Sequence, residues 1–207
     1  MALRLVMAFP DSDEIRDLLI EGAERQIASK GIEGFTFPSL AQALGIRLSK
    51  IYSQFSSREE LIARVAARYG TALEEIFKDD ESREPASVIL DGAGALVHHF
   101  AKNPAHLRLE LRDFETPGGL SALCLRNQRP PAEWTSRLSS IDTLLARGRR
   151  SGVIRAVDTV DLYRTLVGVS MMHIAGSQSQ TWAGHRSGRI SVVGNLVRDV
   201  VERYIRL

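Results

Sequence analysis

The sequence predicts an all-α protein of two domains with about nine helices. An N-terminal three-helix unit built on a helix-turn-helix precedes a larger C-terminal helical domain. Three observations predict this. Apolar residues recur at helical spacing between Gly and Pro punctuation. Two short apolar-periodic segments meet at Gly45, too close together for a domain linker. The last two periodic segments are apolar on two sides, so each must bury both.

The first helix is expected to open at Asp11 or Ser12, either of which can cap it. Asp13, Glu14 and Asp17 suit its positive end. Ile15, Leu18, Leu19, Ala23 and Ile27 form its apolar stripe, and Gly31 closes it. The nine residues before Pro10 are apolar around Arg4 but too short for a signal peptide or a membrane span, and read as an arm or extra turn without a targeting role. Phe35 and Phe37 are expected to fill the small core. Pro38 fits the first turn of the second helix. Leu40, Ala41 and Leu44 carry that helix to Gly45, which can take the positive φ of a tight turn. Ile46, Leu48, Ile51 and Phe55 mark the third helix, with Lys50, Ser53 and Gln54 outward and Arg47 near its start. Between Gly34 and Arg58 there are three basic residues and no acid. Such a face meets phosphates and base edges.

Ser57 with Glu60 reads as a capping box for a helix reaching about Lys78. The charged run Lys78–Pro85 breaks the pattern, and the domain boundary is placed there. The expected division is 1–58 for the helix-turn-helix domain, 59–78 for a linking helix and 79–207 for the C-terminal domain. A helix from Pro85 to Lys102 carries Gly92 and Gly94, each costing about 1 kcal/mol against Ala, which suggests close helix contact or room for a ligand. Asn103-Pro104 starts the next helix, with Leu107, Leu111 and Phe114 on one face. Thr116–Gly119 is a break, and a short helix precedes Pro130-Pro131. Another helix runs from about Ala132 to Arg150. Asp158 or Thr159 opens a helix to about Gln178, and the last runs from about Ser187 to Arg206.

Length and composition set limits. The chain has 207 residues, 44% hydrophobic and 25% charged, with a net charge of +2. These values fit one or two globular domains and exclude a generally basic nucleic-acid coat, so any DNA affinity needs a local patch. A single cysteine, Cys124, excludes an intrachain disulfide and suits a reducing cytoplasm.

The stretch Thr36–Arg58 resembles the DNA-binding signature of the TetR family of transcriptional regulators. Gly31, Thr36, Leu40, Ala41, Gly45, Ile46, Ser49, Ile51, Tyr52, Phe55, Ser57, Glu59 and Leu61 match the family pattern in order, and Arg58 stands for its Lys. The resemblance covers about Asp11 to Ile62. Arg47 departs from the usual Ser, which removes or shifts the usual cap of the third helix. Gln54 departs from the usual His and cannot carry charge. The resemblance implies a double-stranded DNA operator, a homodimer and a small-molecule effector as partners, with no membrane and a cytoplasmic location. The expected DNA-binding residues are Thr36, Ser39, Arg47, Leu48, Ser49, Lys50, Tyr52, Ser53, Gln54 and Arg58. Thr36, Lys50, Tyr52, Gln54 and Arg58 are assigned to phosphates, and Arg47, Leu48, Ser49 and Ser53 to base edges.

An effector pocket is expected among Leu96, His99, Phe100, Leu107, Leu111, Trp134, Leu138, Met171 and His173, any one of which could equally be filled core. A four-helix bundle across a two-fold axis would join two copies through Leu162, Leu166, Val169, Val193, Val197, Val200 and Tyr204. No cofactor or metal is expected. The histidines His106, His173 and His185 lack an i,i+4 histidine partner, and His98 and His99 point to different sides of a helix. No nucleophile elbow or P-loop is present, so no catalysis is expected. The reading is a regulator, a repressor released by its effector. The alternative is a small-molecule-binding helical dimer with weak or lost DNA binding.

Overall fold

The computed structural model describes residues 12–115, 138–177 and 186–206. Nine helices lie among the described residues: α1 Ser12–Lys30, α2 Phe37–Leu44, α3 Leu48–Tyr52, α4 Arg58–Ile76, α5 Pro85–Lys102, α6 Pro104–Glu115, α7 Ser139–Arg150, α8 Thr159–Ser177 and α9 Arg186–Ile205. The one extended pairing among these residues is an isolated antiparallel bridge between Ile154 and Arg206. The all-α architecture is therefore as expected. The short helix before Pro130, Cys124, Trp134, Trp182 and His185 lie outside the described residues. The helix expected from Ala132 is seen from Ser139, with Leu138 as its N-cap.

The chain divides into two compact units, Met1–Ala67 and Arg68–Leu207. The division falls inside α4 and not at the charged loop after it. The physical reason lies along the helix. Leu61, Ile62 and Val65 are buried one way, while Tyr69, Leu73 and Phe77 join the core of the second unit.

In the first unit, Leu19, Ala23, Ile27, Phe35, Leu40 and Ile51 are fully buried. Leu18, expected on the α1 stripe, is 41% exposed, because Ile15, Leu19 and Ile20 supply the inward face instead. Gly31 and Gly45 take φ of 79° and 65°. The Gly45 amide donates to the Ala41 and Gln42 carbonyls, which ends α2 and starts the turn. At α4, half of the expected capping box forms: the Glu60 amide donates to Ser57 Oγ at 3.1 Å. The other half is displaced by one residue, since the Glu60 carboxylate accepts from the Ser56 amide and hydroxyl, each at 2.7 Å. The Ser56 hydroxyl, then its amide, hold the Glu60 carboxyl below the usual range.

The second unit packs α8 and α9 against α5, with Leu96, Val97, Phe100, Leu144, Leu145 and Leu166 at its centre. Gly92 permits close approach: a Cβ there would lie 2.5 Å from the buried Phe77 ring. Arg147 closes the charged loop. Its guanidinium donates to Asp79 Oδ1 at 2.5 Å and to the Asp80 and Arg83 carbonyls at 3.0 and 2.9 Å. Asp91 bridges Arg83 and Arg198, and those two hydrogen bonds lower its pKa.

Candidate functional site

The reader is built by local rules. Thr36 takes extended backbone, and its Oγ1 accepts from the Ser39 amide at 3.2 Å. Gly45 turns the chain, and α3 then occupies five residues. Ile51 and, just beyond it, Phe55 anchor this segment from beneath, at 0% and 1% exposure. Arg16 lies over the Phe55 ring at 4.9 Å. The opposite side carries exposed Arg47, Leu48, Ser49 and Lys50. Ile46, Arg47, Ser49, Lys50 and Ser53 line a shallow open hollow there. Arg47 sits at the N-cap position and makes no side-chain cap hydrogen bond, so the departure from Ser leaves α3 uncapped.

The expected DNA-binding residues divide into two groups. Arg47, Leu48, Ser49, Lys50 and Tyr52 lie outward, with Leu48 37% and Tyr52 56% exposed. The Tyr52 ring is held edge-on against Phe37 at 5.2 Å. Ser53 is exposed, but its hydroxyl donates to the Lys50 carbonyl at 2.8 Å. Gln54 is half-buried and Thr36 exposed. Ser39 and Arg58 are engaged within the domain itself. The Ser39 hydroxyl turns inward onto Gln26 Oε1 at 2.5 Å. Arg58 donates from Nε to the Phe35 carbonyl at 2.8 Å, from Nη2 to the Ile32 carbonyl and from Nη1 to Glu59 at 3.1 Å. Each guanidinium nitrogen is thus engaged inside the domain, and Arg58 ties α4 to the α1–α2 turn.

Four of the nine expected pocket residues are buried in the core of the second unit. Leu96, Phe100, Leu107 and Leu138 are buried, Leu111 and Met171 partly buried, and the His173 side chain lies outside the described residues. His99 was expected at the pocket, but its partners were missed by sequence reasoning. His99 and His106 stack at 5.0 Å with Nε2 of the first 2.8 Å from Nδ1 of the second. They pair across the Asn103-Pro104 turn, a spacing that an i,i+4 search passes over. Tyr69 stacks on the His99 ring and lies tilted against that of His106. Its hydroxyl lies 2.7 Å from that of Tyr163, which donates to Glu110 Oε1 at 2.9 Å. Among the described residues, no group of three or more His, Cys, Asp or Glu is arranged to hold a metal ion.

The pair has a consequence for acid stability. Burial, and then the charge of His106, push the His99 imidazole from 6.5 down to about 4. Between those values the unfolded chain holds more protons than the folded one, so acid favours unfolding. Stability present above pH 6.5 is lost as pH falls toward 4, by about 1–2 kcal/mol once partial exposure is allowed for. Urea unfolding at pH 7 and pH 4.5 checks this, with a smaller acid loss expected for His99→Gln.

Residues 19–65 match the family described as bacterial regulatory proteins, tetR family. No curated protein matches the chain. Among solved structures, SCO4942 of Streptomyces coelicolor, described as a transcriptional regulator, is similar at 25% identity with a TM-score of 0.63, covering 90% of this chain and 97% of that one. A tetR-family regulatory protein of Rhodococcus RHA1 has the same fold at 13% identity and a TM-score of 0.68, covering 93% and 97%. The ketosteroid transcriptional regulator KstR2 of Mycobacterium tuberculosis has it at 17% and 0.62, covering 93% and 95%. Among the described residues, no helix is long and apolar enough to cross a membrane. Residues 19–65 thus form a reader of the type found in bacterial regulatory proteins of the tetR family, and the chain as a whole shares the fold of solved transcriptional regulators.

Proposed function

We propose that the protein is a repressor that binds operator DNA as a homodimer and is released by a small-molecule effector. The observation that carries the reading is the outward side of α3. Arg47, Leu48, Ser49 and Lys50 are exposed there, while Ile51 and Phe55 hold the segment from beneath. Thr36, Lys50, Tyr52 and Gln54 contact phosphates, and Arg47, Leu48, Ser49 and Ser53 face the bases. Two readers related by a two-fold axis enter successive major grooves about 34–36 Å apart. An effector that favours another spacing weakens operator binding by its difference in affinity for the two arrangements.

Dimerisation is assigned to α8 and α9, with a changed set of contacts. Leu162, Leu166 and Val197 are fully buried within one chain, because α8 and α9 turn these residues onto α5. They are core and not an intermolecular face. Arg155 covers the Tyr204 ring at 5.0 Å. The apolar residues left outward on α9 are Val192 at 65% and Leu196 at 39% exposure, one helical turn apart. Val169, Val193 and Val200 flank the same helices with partial exposure. The double variant Val192→Glu, Leu196→Glu is expected to sediment as a monomer at micromolar concentration and to keep its helical circular dichroism. Of the residues expected at the effector, His99, Leu111 and Met171 keep partial exposure and are the sides through which a ligand reaches the second unit.

The deciding experiment is binding to the DNA upstream of the protein's own coding sequence, measured against salt. Affinity above that for scrambled DNA, falling linearly on a log–log plot, supports the repressor. Equal, weak binding to both supports the alternative of a ligand-binding dimer with little DNA affinity. Tyr52→Phe keeps the ring contact with Phe37 and removes only the hydroxyl. It is expected to weaken binding about tenfold on every sequence, read by fluorescence anisotropy.

A further inference from the structure

Building on the DNA-binding reading above, we propose that Arg47 selects a guanine and Leu48 a thymine methyl, so that each operator half-site carries a G and a T within about two base pairs of each other.

The remaining side chains of the outward face carry little discrimination. The Ser53 hydroxyl is engaged with the Lys50 carbonyl, and the Tyr52 ring rests on Phe37. Ser49 offers one hydroxyl, which can donate or accept and so suits any base. Lys50 is a compact charge without the planar fork that fits two acceptors at once. Arg58, the other guanidinium of this stretch, is engaged with the Phe35 and Ile32 carbonyls. Arg47 is different: it is exposed, it caps nothing, and among the described residues it makes no ion pair. A free guanidinium in the major groove matches the paired O6 and N7 acceptors of guanine.

Leu48 is an aliphatic side chain left 37% exposed at the start of a helix whose Ile51 is at 0%. The apolar group the major groove offers such a side chain is the thymine C5-methyl. Both side chains leave from the exposed N-terminal end of α3, so the bases they reach lie within about two steps of each other.

The test starts with duplexes selected from a random pool by the full-length protein. In the best of them, each guanine is replaced singly by 7-deazaguanine, which lacks N7, and each thymine by uracil, which lacks the methyl. One guanine per half-site is expected to lose about five- to hundredfold when changed, and Arg47→Ala to be indifferent to that change. One thymine within two base pairs is expected to lose about fourfold, and Leu48→Ala to be indifferent to uracil there. The substitutions on the DNA read the unmodified protein, so variant folding does not confound them. Equal losses at every position, or an Arg47→Ala effect that is uniform across sequences with a reduced salt slope, would place Arg47 on phosphate and overturn the proposal. A pool that enriches no duplex overturns the DNA-binding reading itself, a separate outcome.

Discussion

Arg58→Ala is expected to destabilise the N-terminal unit by about 2–4 kcal/mol, the loss of two hydrogen bonds from a charged donor to partly buried carbonyls. Ile32 is 6% exposed and Phe35 0%, so water reaches those carbonyls poorly once the guanidinium is gone. The guanidinium carbon also sits 6.0 Å from the centre of the Phe35 ring, a contact that Ala removes. What makes the prediction informative is Arg58→Lys. A phosphate contact needs only the charge, which Lys keeps. The carbonyls of Ile32 and Phe35 are met by two different nitrogens of one planar group, which Lys cannot reproduce. Arg58→Lys is therefore expected to lose at least half as much stability as Arg58→Ala. Hydrogen exchange of the amides between Gly31 and Phe55 reads the loss in place, and DNA affinity should fall in proportion to it. Full stability in Arg58→Lys, with DNA binding lost only in Arg58→Ala, would return the residue to the phosphate backbone.

Arg58 also shows where the sequence stops being legible. Its carbonyl partners are 23 and 26 residues away along the chain, and no local pattern signals that reach. The features read correctly are local ones: the Gly45 turn, the placement of Pro38 in the first turn of α2, and the bounds of α5 from Pro85 to Lys102. Helical spacing identified the apolar residues of α8 and α9 but could not say against what they are buried. Leu162, Leu166 and Val197 look the same in sequence whether they face α5 or a second copy. Only packing distinguishes them, and packing leaves Val192 and Leu196 outside. The polar core was illegible for a related reason. His99 and His106 are on different helices, and Tyr69, Glu110 and Tyr163 come from three, so their meeting depends on how α4, α5, α6 and α8 are assembled.

Tyr163→Phe is expected to cost the second unit about 2–4 kcal/mol although it removes a single oxygen. Tyr163 is 2% exposed and Glu110 3%. The one proton of the Tyr163 hydroxyl is directed at Glu110, so Tyr69 donates to the Tyr163 oxygen, and donation runs from Tyr69 through Tyr163 to the carboxylate. Burial, and then the Glu110 charge, raise the Tyr163 pKa well above its usual value, so it remains a donor across the ordinary pH range. Deleting the hydroxyl takes a donor from a buried carboxylate and an acceptor from Tyr69 at once. The control is the partner variant. Tyr163→Phe combined with Glu110→Met removes both ends of the contact, and replacing both partners by apolar groups of similar shape is less costly than removing one alone. The double variant is therefore expected to be more stable than the sum of the two single losses implies, by about 1–2 kcal/mol in a double-mutant cycle read by urea unfolding. Strict additivity would mean that the carboxylate does not depend on the tyrosine, and that Tyr163 does not donate to Glu110.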